Sequence, residues 1–306
     1  MNKFSYIIFF LFLLILNACQ KPKQEENQRE RIRINSYNDT SLVRIENPKL
    51  IEFREFTQQL DGSNINSVQQ AVEKFKATFS GQQTSLCDSS FVVFQQLMDT
   101  ITTYQNIKLQ TDTTEYELYF ETNHLPYKVL NYKKLLAKNG FKLSYSNGMV
   151  FIEQDRSYPI NLLSSMLSEP MKMYLAEIEI ENREGFSENA AIIISWKQHV
   201  DRIIWYEDFI KANPTFVFLE NCKNYKKAYF SYLLTGFKNT KLYIDDNQTV
   251  LNPYFNSAYS YLIQAFPNSE TTQLTTPFLE TLQQGSTEAR KELLKQYVIK
   301  GLIFNI

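Results

Sequence analysis

The sequence predicts a mainly α-helical protein, with helical hairpins in its C-terminal part and one small antiparallel β-sheet near residues 115–153. Three observations predict it. Apolar residues recur at three- and four-residue spacing through most of the chain, capping residues open several of those stretches, and the period shortens to two only between 115 and 153. Hydrophobic residues make up 43%, with 23 Phe and 19 Tyr, so the chain can bury enough apolar surface to fold.

The first residues stand apart from that body. After Met1, Asn2 and Lys3, residues Phe4 to Leu16 are apolar except for Ser5, and the segment closes with Leu16-Asn17-Ala18-Cys19. One positive charge followed by about a dozen apolar residues is the pattern of a secretory signal peptide, whereas a spanning helix needs roughly 20. Leu16-Asn17-Ala18-Cys19 resembles the lipobox of bacterial lipoproteins, in which a small residue precedes an obligatory cysteine; Asn17 departs from the small or apolar residue usual at its place. The resemblance implies removal of residues 1–18, a diacylglycerol on the Cys19 sulfur and scope for a further acyl group on the new amino terminus. One acyl chain holds a protein only marginally, at about 0.8 kcal/mol per buried methylene, so two or three chains are what anchor it firmly. The implied location is the cell envelope, lipid-anchored at the outer membrane, with the body facing the periplasm or the exterior.

Residues 19–40 read as a flexible tether, because they hold almost no large apolar side chain before Ile32 and Ile34. Gln20-Lys21 and Gln24-Glu25-Glu26 resemble the short acidic export tether of some gram-negative surface lipoproteins. Beyond the tether, 41–156 reads as a region of mixed helix and strand and 157–306 as a helical region.

In the mixed region, Ser63 or Asn64 caps a helix through Val68, Val72, Phe75 and Phe79 that Gly81 ends. Asp88, Ser89 and Ser90 offer the cap for a second stripe, Phe91, Phe94, Leu97, Met98, Ile101 and Tyr104, and the two helices form a hairpin. Tyr116, Leu118 and Phe120 alternate with Glu115, Glu117, Tyr119 and Glu121 as in a half-buried strand. After Pro126 a short helix runs to Asn139-Gly140. Phe141 to Tyr145 and Met149 to Glu153 then flank Ser146-Asn147-Gly148, a strong hairpin signal, so that three short strands share one sheet.

In the helical region, Ser195-Trp196-Lys197-Gln198 reads as a capping box for a helix through Val200, Ile203, Tyr206, Phe209 and Ile210 that ends at Pro214. Phe216 to Leu233 follows, ending at Gly236. Asn252-Pro253 opens the next helix, Thr276-Pro277 opens another, and Ser286 caps the last. The endings Tyr206 to Pro214 and Tyr259 to Pro267 match at an offset of 53 residues. That array is loosely like tetratricopeptide hairpins but departs from their period of about 34. From Leu125 onward, Asn139-Gly140-Phe141, Ile194-Ser195-Trp196, the Phe209 to Pro214 ending and Gly236-Phe237-Lys238-Asn239-Thr240 resemble a group of uncharacterised extracytoplasmic bacterial lipoproteins. This resemblance implies fold and location only.

Residues with chemical potential are sparse. Loss of residues 1–18 removes one lysine, leaving 31 basic against 33 acidic side chains, a balance that argues against a nucleic-acid partner. His124 and His199 stand in no zinc-ligand spacing, and no Gly-rich stretch forms a phosphate loop, so no metal or cofactor is expected. Ser195, His199 and Asp201 do not make a triad, because Asp201 lies two positions from His199 on another helix face; the expected roles are a capping serine and a surface or half-buried histidine. Glu177, Glu179 and Glu181 read as a solvated face, and Asp245-Asp246-Asn247 as a turn. Cys87 and Cys222 lie in a compartment that permits a disulfide, with two separately buried thiols as the alternative. Trp196, Trp205, Tyr225 and Tyr229 are the candidate partner-binding aromatics, set against a core role that their helical spacing favours.

The function expected from sequence is a non-enzymatic, lipid-anchored binding or scaffolding module held to a membrane through Cys19, with a protein or glycan partner. The competing class is an envelope enzyme acting on glycan or peptide through carboxylates. A two-lobed solute-binding lipoprotein is disfavoured by the scarcity of alternating strand and helix.

Overall fold

Asn47-Pro48 opens the first helix, α1 (Pro48–Gln59), where the Asn47 side chain accepts from the Lys49 amide at 3.0 Å. The computed structural model describes residues 46–112, 116, 126–146, 149–245 and 247–305. The signal segment, Cys19, the tether, the expected strand at 115–121 apart from Tyr116, His124, the Asn147-Gly148 turn and Asp246 lie outside the described residues. Among those described, no helix is long and apolar enough to cross a membrane.

The architecture is mainly helical, as the sequence predicts, with small two-stranded antiparallel sheets. Helix α1 buries only Leu50, Phe53 and Thr57, a stripe too thin for periodicity to reveal. In α2 (Ser67–Phe79), Val68, Val72, Phe75 and Phe79 are buried as their spacing requires, and the rings of Phe53, Phe75 and Phe79 meet with centroids 5.0 to 5.6 Å apart. The expected cap is displaced: Asn66 holds the N-cap position, while the Asn64 side chain accepts from the Asn66 amide in the turn before it.

Helix α3 (Thr84–Thr111) starts a turn earlier than expected, so Asp88, Ser89 and Ser90 sit inside it and do not cap it. Asp88 instead serves a distant segment. Its buried carboxylate accepts from the Ser168 amide at 3.1 Å and the Ser168 hydroxyl at 2.5 Å, and that hydroxyl oxygen accepts from the Met171 amide.

Helix α4 (Tyr127–Lys138) stops at Asn139-Gly140 as the sequence predicts. Gly140 has φ +76°, and a Cβ there would come within 2.5 Å of the Tyr158 ring. Strands β1 (Phe141–Ser146) and β2 (Met149–Gln154) pair in the register Phe141↔Gln154 to Ser146↔Met149. The hairpin packs on α3, where the Asn106 side chain acts as an extra strand: its amide donates to the Ile152 carbonyl at 2.9 Å and its oxygen accepts from the Ile152 amide at 2.7 Å.

Helix α5 (Ser157–Leu163) leads through a short 3-10 turn to α6 (Glu169–Glu184), capped by Ser168. The pair α7 (Trp196–Ala212) and α8 (Leu219–Thr235) then packs as a hairpin. The capping box is present, with Gln198 N donating to Ser195 Oγ at 3.2 Å and Ser195 N donating to Gln198 Oε1 at 3.0 Å. Helices α9 (Pro253–Ala265), α10 (Glu270–Gln283) and α11 (Thr287–Ile299) complete the chain, with α9 and α10 both against α7. The two matching endings share a geometry: Asn213 and Phe266 have φ/ψ of −128°/61° and −131°/52°. Each precedes a proline, whose Cδ excludes the helical conformation from the residue before it. The recurrence is helix-end chemistry.

Two features were not expected. Between α6 and α7 lie β3 (Ser187–Glu188) and β4 (Ala191–Ile192), and after α8 come β5 (Gly236–Phe237) and β6 (Thr240–Lys241); strands of two residues leave no alternating signal. Helix α10 begins at Glu270, so Thr276-Pro277 lies within it. Its start is set by Ser269, which accepts from Thr272 N, and by Glu207 of α7. The Glu207 carboxylate accepts from Glu270 N at 2.7 Å, Thr271 N at 2.9 Å and the Thr271 hydroxyl at 2.6 Å, where the helix dipole favours a negative charge. Burial pushes the Glu207 carboxyl up, but these bonds and the nearby Lys226 outweigh it and leave it below the usual range.

Glu207→Ala is therefore expected to destabilise the protein by about 2–3 kcal/mol in urea unfolding, since three charge-assisted bonds go at once. Glu220→Ala, which removes an exposed pair with Lys223, is expected to change it by less than about 0.5 kcal/mol. Equal effects of the two substitutions would contradict the assignment of Glu207 as the α10 anchor.

Candidate functional site

A buried polar cluster forms where α6, α7 and α8 meet. Glu177, Glu179 and Glu181 are on a helix, where residues four apart share a face, so Glu177 and Glu181 lie together and Glu179 points elsewhere to pair with Arg183 at 2.9 Å. The solvated-face expectation fails for Glu181, which is 8% exposed. A signal for this was present: Ser168 and Pro170 mark the helix start, and Glu181 continues the stripe Met171, Tyr174, Leu175, Ile178.

The Glu181 Oε2 atom accepts from the Tyr229 hydroxyl at 2.8 Å. That hydroxyl accepts from Arg202 Nη1 at 3.4 Å, and Arg202 also donates to the Gly185 carbonyl at 2.9 Å and to Glu184 at 2.8 Å. Glu181 Oε1 and the Tyr206 hydroxyl are buried with no hydrogen bond of full geometry. Burial drives the Glu181 carboxyl up to about 7, against the downward pull of Tyr229, Arg202 and the neighbouring Tyr206 phenol; Glu177 adds to the rise. Burial likewise raises the Tyr206 and Tyr229 phenols, and the Glu181 charge adds to both.

The structure also buries His199 completely, where the sequence predicts a surface or half-buried histidine. Nε2 lies 2.9 Å from the Tyr229 carbonyl and Nδ1 lies 3.2 Å from the Tyr254 hydroxyl. A carbonyl can only accept, so the neutral ring carries its proton on Nε2 and accepts from Tyr254 at Nδ1. Burial lowers its pKa to about 4; the Tyr229 carbonyl opposes this and Arg202 adds to it. Asp201 turns away, toward Lys197 and the Tyr261 hydroxyl, so no triad exists with Ser195.

Of the four aromatics nominated from sequence, Tyr229, Tyr225 and Trp205 pack into this region and Trp196 packs against α9. Tyr229 is buried against Phe186, and Tyr225 stacks on Tyr206 at 5.4 Å. Trp205 stacks on Phe209 at 4.8 Å and meets Tyr206 edge-on at 5.0 Å, while Trp196 meets Tyr261 at 5.5 Å. Trp196, Trp205 and Tyr225 are half-buried. Cys87 and Cys222 are buried as free thiols, with burial pushing Cys222 up to about 12 and raising Cys87 as well, so neither is a thiolate nucleophile near neutrality. Asp245 closes a turn, accepting from Thr249 N at 3.0 Å and Val250 N at 2.7 Å.

Among the described residues, one shallow depression lies around Lys108, Asp112, Lys128 and Tyr132 and another around Glu207, Lys211, Lys226 and Glu270; neither includes Glu181, His199 or Arg202. Among the described residues, no three metal-ligating side chains gather. No protein-family model, curated protein or solved structure matches the chain.

The cluster makes opposite demands on pH. Glu181 is raised from 4.5 to about 7, so its contribution to stability is present below pH 4.5 and lost as pH rises through 7. His199 is lowered from 6.5 to about 4, so its contribution is present above pH 6.5 and lost as pH falls through 4. Each is worth about 3 kcal/mol, and between pH 4.5 and 6.5 they nearly cancel. Urea unfolding across that window is expected to be almost flat for the natural protein with respect to these two groups, to gain about 2 kcal/mol with rising pH in Glu181→Gln and to lose as much in His199→Gln. Parallel profiles for all three proteins would contradict this.

Proposed function

We propose that residues 1–18 direct export and are removed, that Cys19 carries lipid, and that the helical body from Glu46 onward serves at the outer membrane as a non-enzymatic binding or scaffolding module. The observation that carries the reading is Leu16-Asn17-Ala18-Cys19 closing an apolar segment too short to span a bilayer.

The non-enzymatic part of the proposal draws support from where the ionisable groups go. Glu181, His199 and Arg202 are committed to Tyr229, Tyr254, Glu184 and backbone carbonyls. A general acid or base must instead reach a proton on its substrate. The partner fits a surface-recognition role, a protein or a glycan.

Growth of producing cells with a clickable palmitate analogue, followed by membrane fractionation, tests the anchor. The natural protein is expected to carry label and to sediment with membranes, and Cys19→Ser to lose both. Retention of Cys19→Ser in the membrane fraction to the same extent, or absence of label from the natural protein, would overturn the proposal.

A further inference from the structure

The base of the hairpin between α6 and α7 is bonded by one side chain, Arg202, that also reaches the hydroxyl bonded to Glu181. Arg202 Nη1 donates both to the Gly185 carbonyl, where the chain leaves α6 for β3, and to the Tyr229 hydroxyl, which bridges to Glu181. Beneath it the Phe186 ring rests on His199, Tyr229 and Tyr232, with centroids 5.2, 5.0 and 5.6 Å away. The hairpin tip is strained, since Asn189 and Ala190 both have positive φ, at 48° and 57°, and an alanine takes that conformation at a cost. The remaining ties are to the neighbouring hairpin: Asn239 donates to the carbonyls of Asn189 and Ala190, and Ile192 N donates to the Thr240 hydroxyl.

We propose that Glu181 operates this hairpin as a proton-controlled latch: ionisation of the carboxyl draws the Arg202 guanidinium from the Gly185 carbonyl toward the new charge and frees residues 185–193 from α7 and α8. With the carboxyl neutral, Tyr229 bridges the two groups and Arg202 stays on Gly185 and Glu184. Loss of the proton places an uncompensated charge among buried phenols, and the guanidinium is the cation within reach. A guanidinium bond to an ionised carboxylate outweighs one to a neutral carbonyl, because both partners then carry charge.

The groups facing Glu181 support that direction. Its own helix presents Glu177, which disfavours a negative charge on Glu181, and Tyr174, while Glu184 acts on Glu177. Helix α7 presents Arg202 and Tyr206, and α8 presents Cys222, Tyr225 and Tyr229. Arg156 acts on Tyr174 and Tyr225, and Asp99 of α3 acts on Tyr225, so both lie one layer further out. Arg202 is therefore the cation placed to answer the change. The carboxyl titrates near 7, whereas His199 stays neutral down to about 4 and does not compete as the trigger.

Hydrogen exchange of the full chain, read by mass spectrometry at pH 5.5 and 8.5 as protection relative to unstructured peptide at each pH, tests the latch. Peptides covering 185–193 are expected to lose protection about tenfold at the higher pH, while peptides within α2 keep theirs. Glu181→Gln is expected to hold the hairpin protected at both values. Unchanged protection in the natural protein, or the same loss in Glu181→Gln, overturns the proposal. Should Glu181→Gln not fold, the infrared carbonyl band of a protonated carboxyl in the natural protein is to be followed instead. Its disappearance in step with the loss of hairpin protection supports the latch, and its disappearance without that loss refutes it.

Discussion

Taking the Glu181 carboxyl out of water obliges three helices to answer it. A buried carboxylate without partners costs several kcal/mol, so the group is held near neutrality by burial and bonded by Tyr229, while Arg202 stands behind that phenol and turns its other donors to Glu184 and Gly185. His199 follows from the same arrangement. Its neutral ring ties α7 to the Tyr229 carbonyl of α8 and to Tyr254 of α9, so the polar core links consecutive helices that apolar stripes alone would allow to slide.

Elsewhere the same device appears with acids at helix ends. Asp88 from the middle of α3 fixes Ser168 at the head of α6, and Glu207 from α7 fixes the head of α10. Each carboxylate satisfies amides that the helix itself leaves without acceptors, and each spans a long distance in sequence. Side chains mimic strands in the same way, as Asn106 does for β2.

These long-range partners explain what the sequence could and could not disclose. Signals confined to one element were readable: the Ser195 and Gln198 box, the Asn252 and Ser286 caps, Gly140 as a helix stop and the β1–β2 hairpin are all local chemistry. The caps of α2 and α3 were misplaced because Asn64 serves a turn and Asp88 serves Ser168. The start of α10 was missed because an anchor 63 residues away sets it, which overrides the usual reading of Thr276-Pro277. Polar residue type argues for water at both positions, a solvated face for Glu181 and a surface or half-buried place for His199. The apolar stripe they extend argued for burial, and the partners that make burial affordable lie on other helices.

The account turns on Glu181 being an interior acid that exchanges its proton near neutrality. Carbon NMR of the protein labelled at glutamate side-chain carboxyls reads that directly. One carboxyl resonance is predicted to titrate near pH 7, apart from those that move near the ordinary value of 4.5, and to vanish in Glu181→Gln. A spectrum in which every glutamate has completed its titration below pH 5.5 would contradict the account.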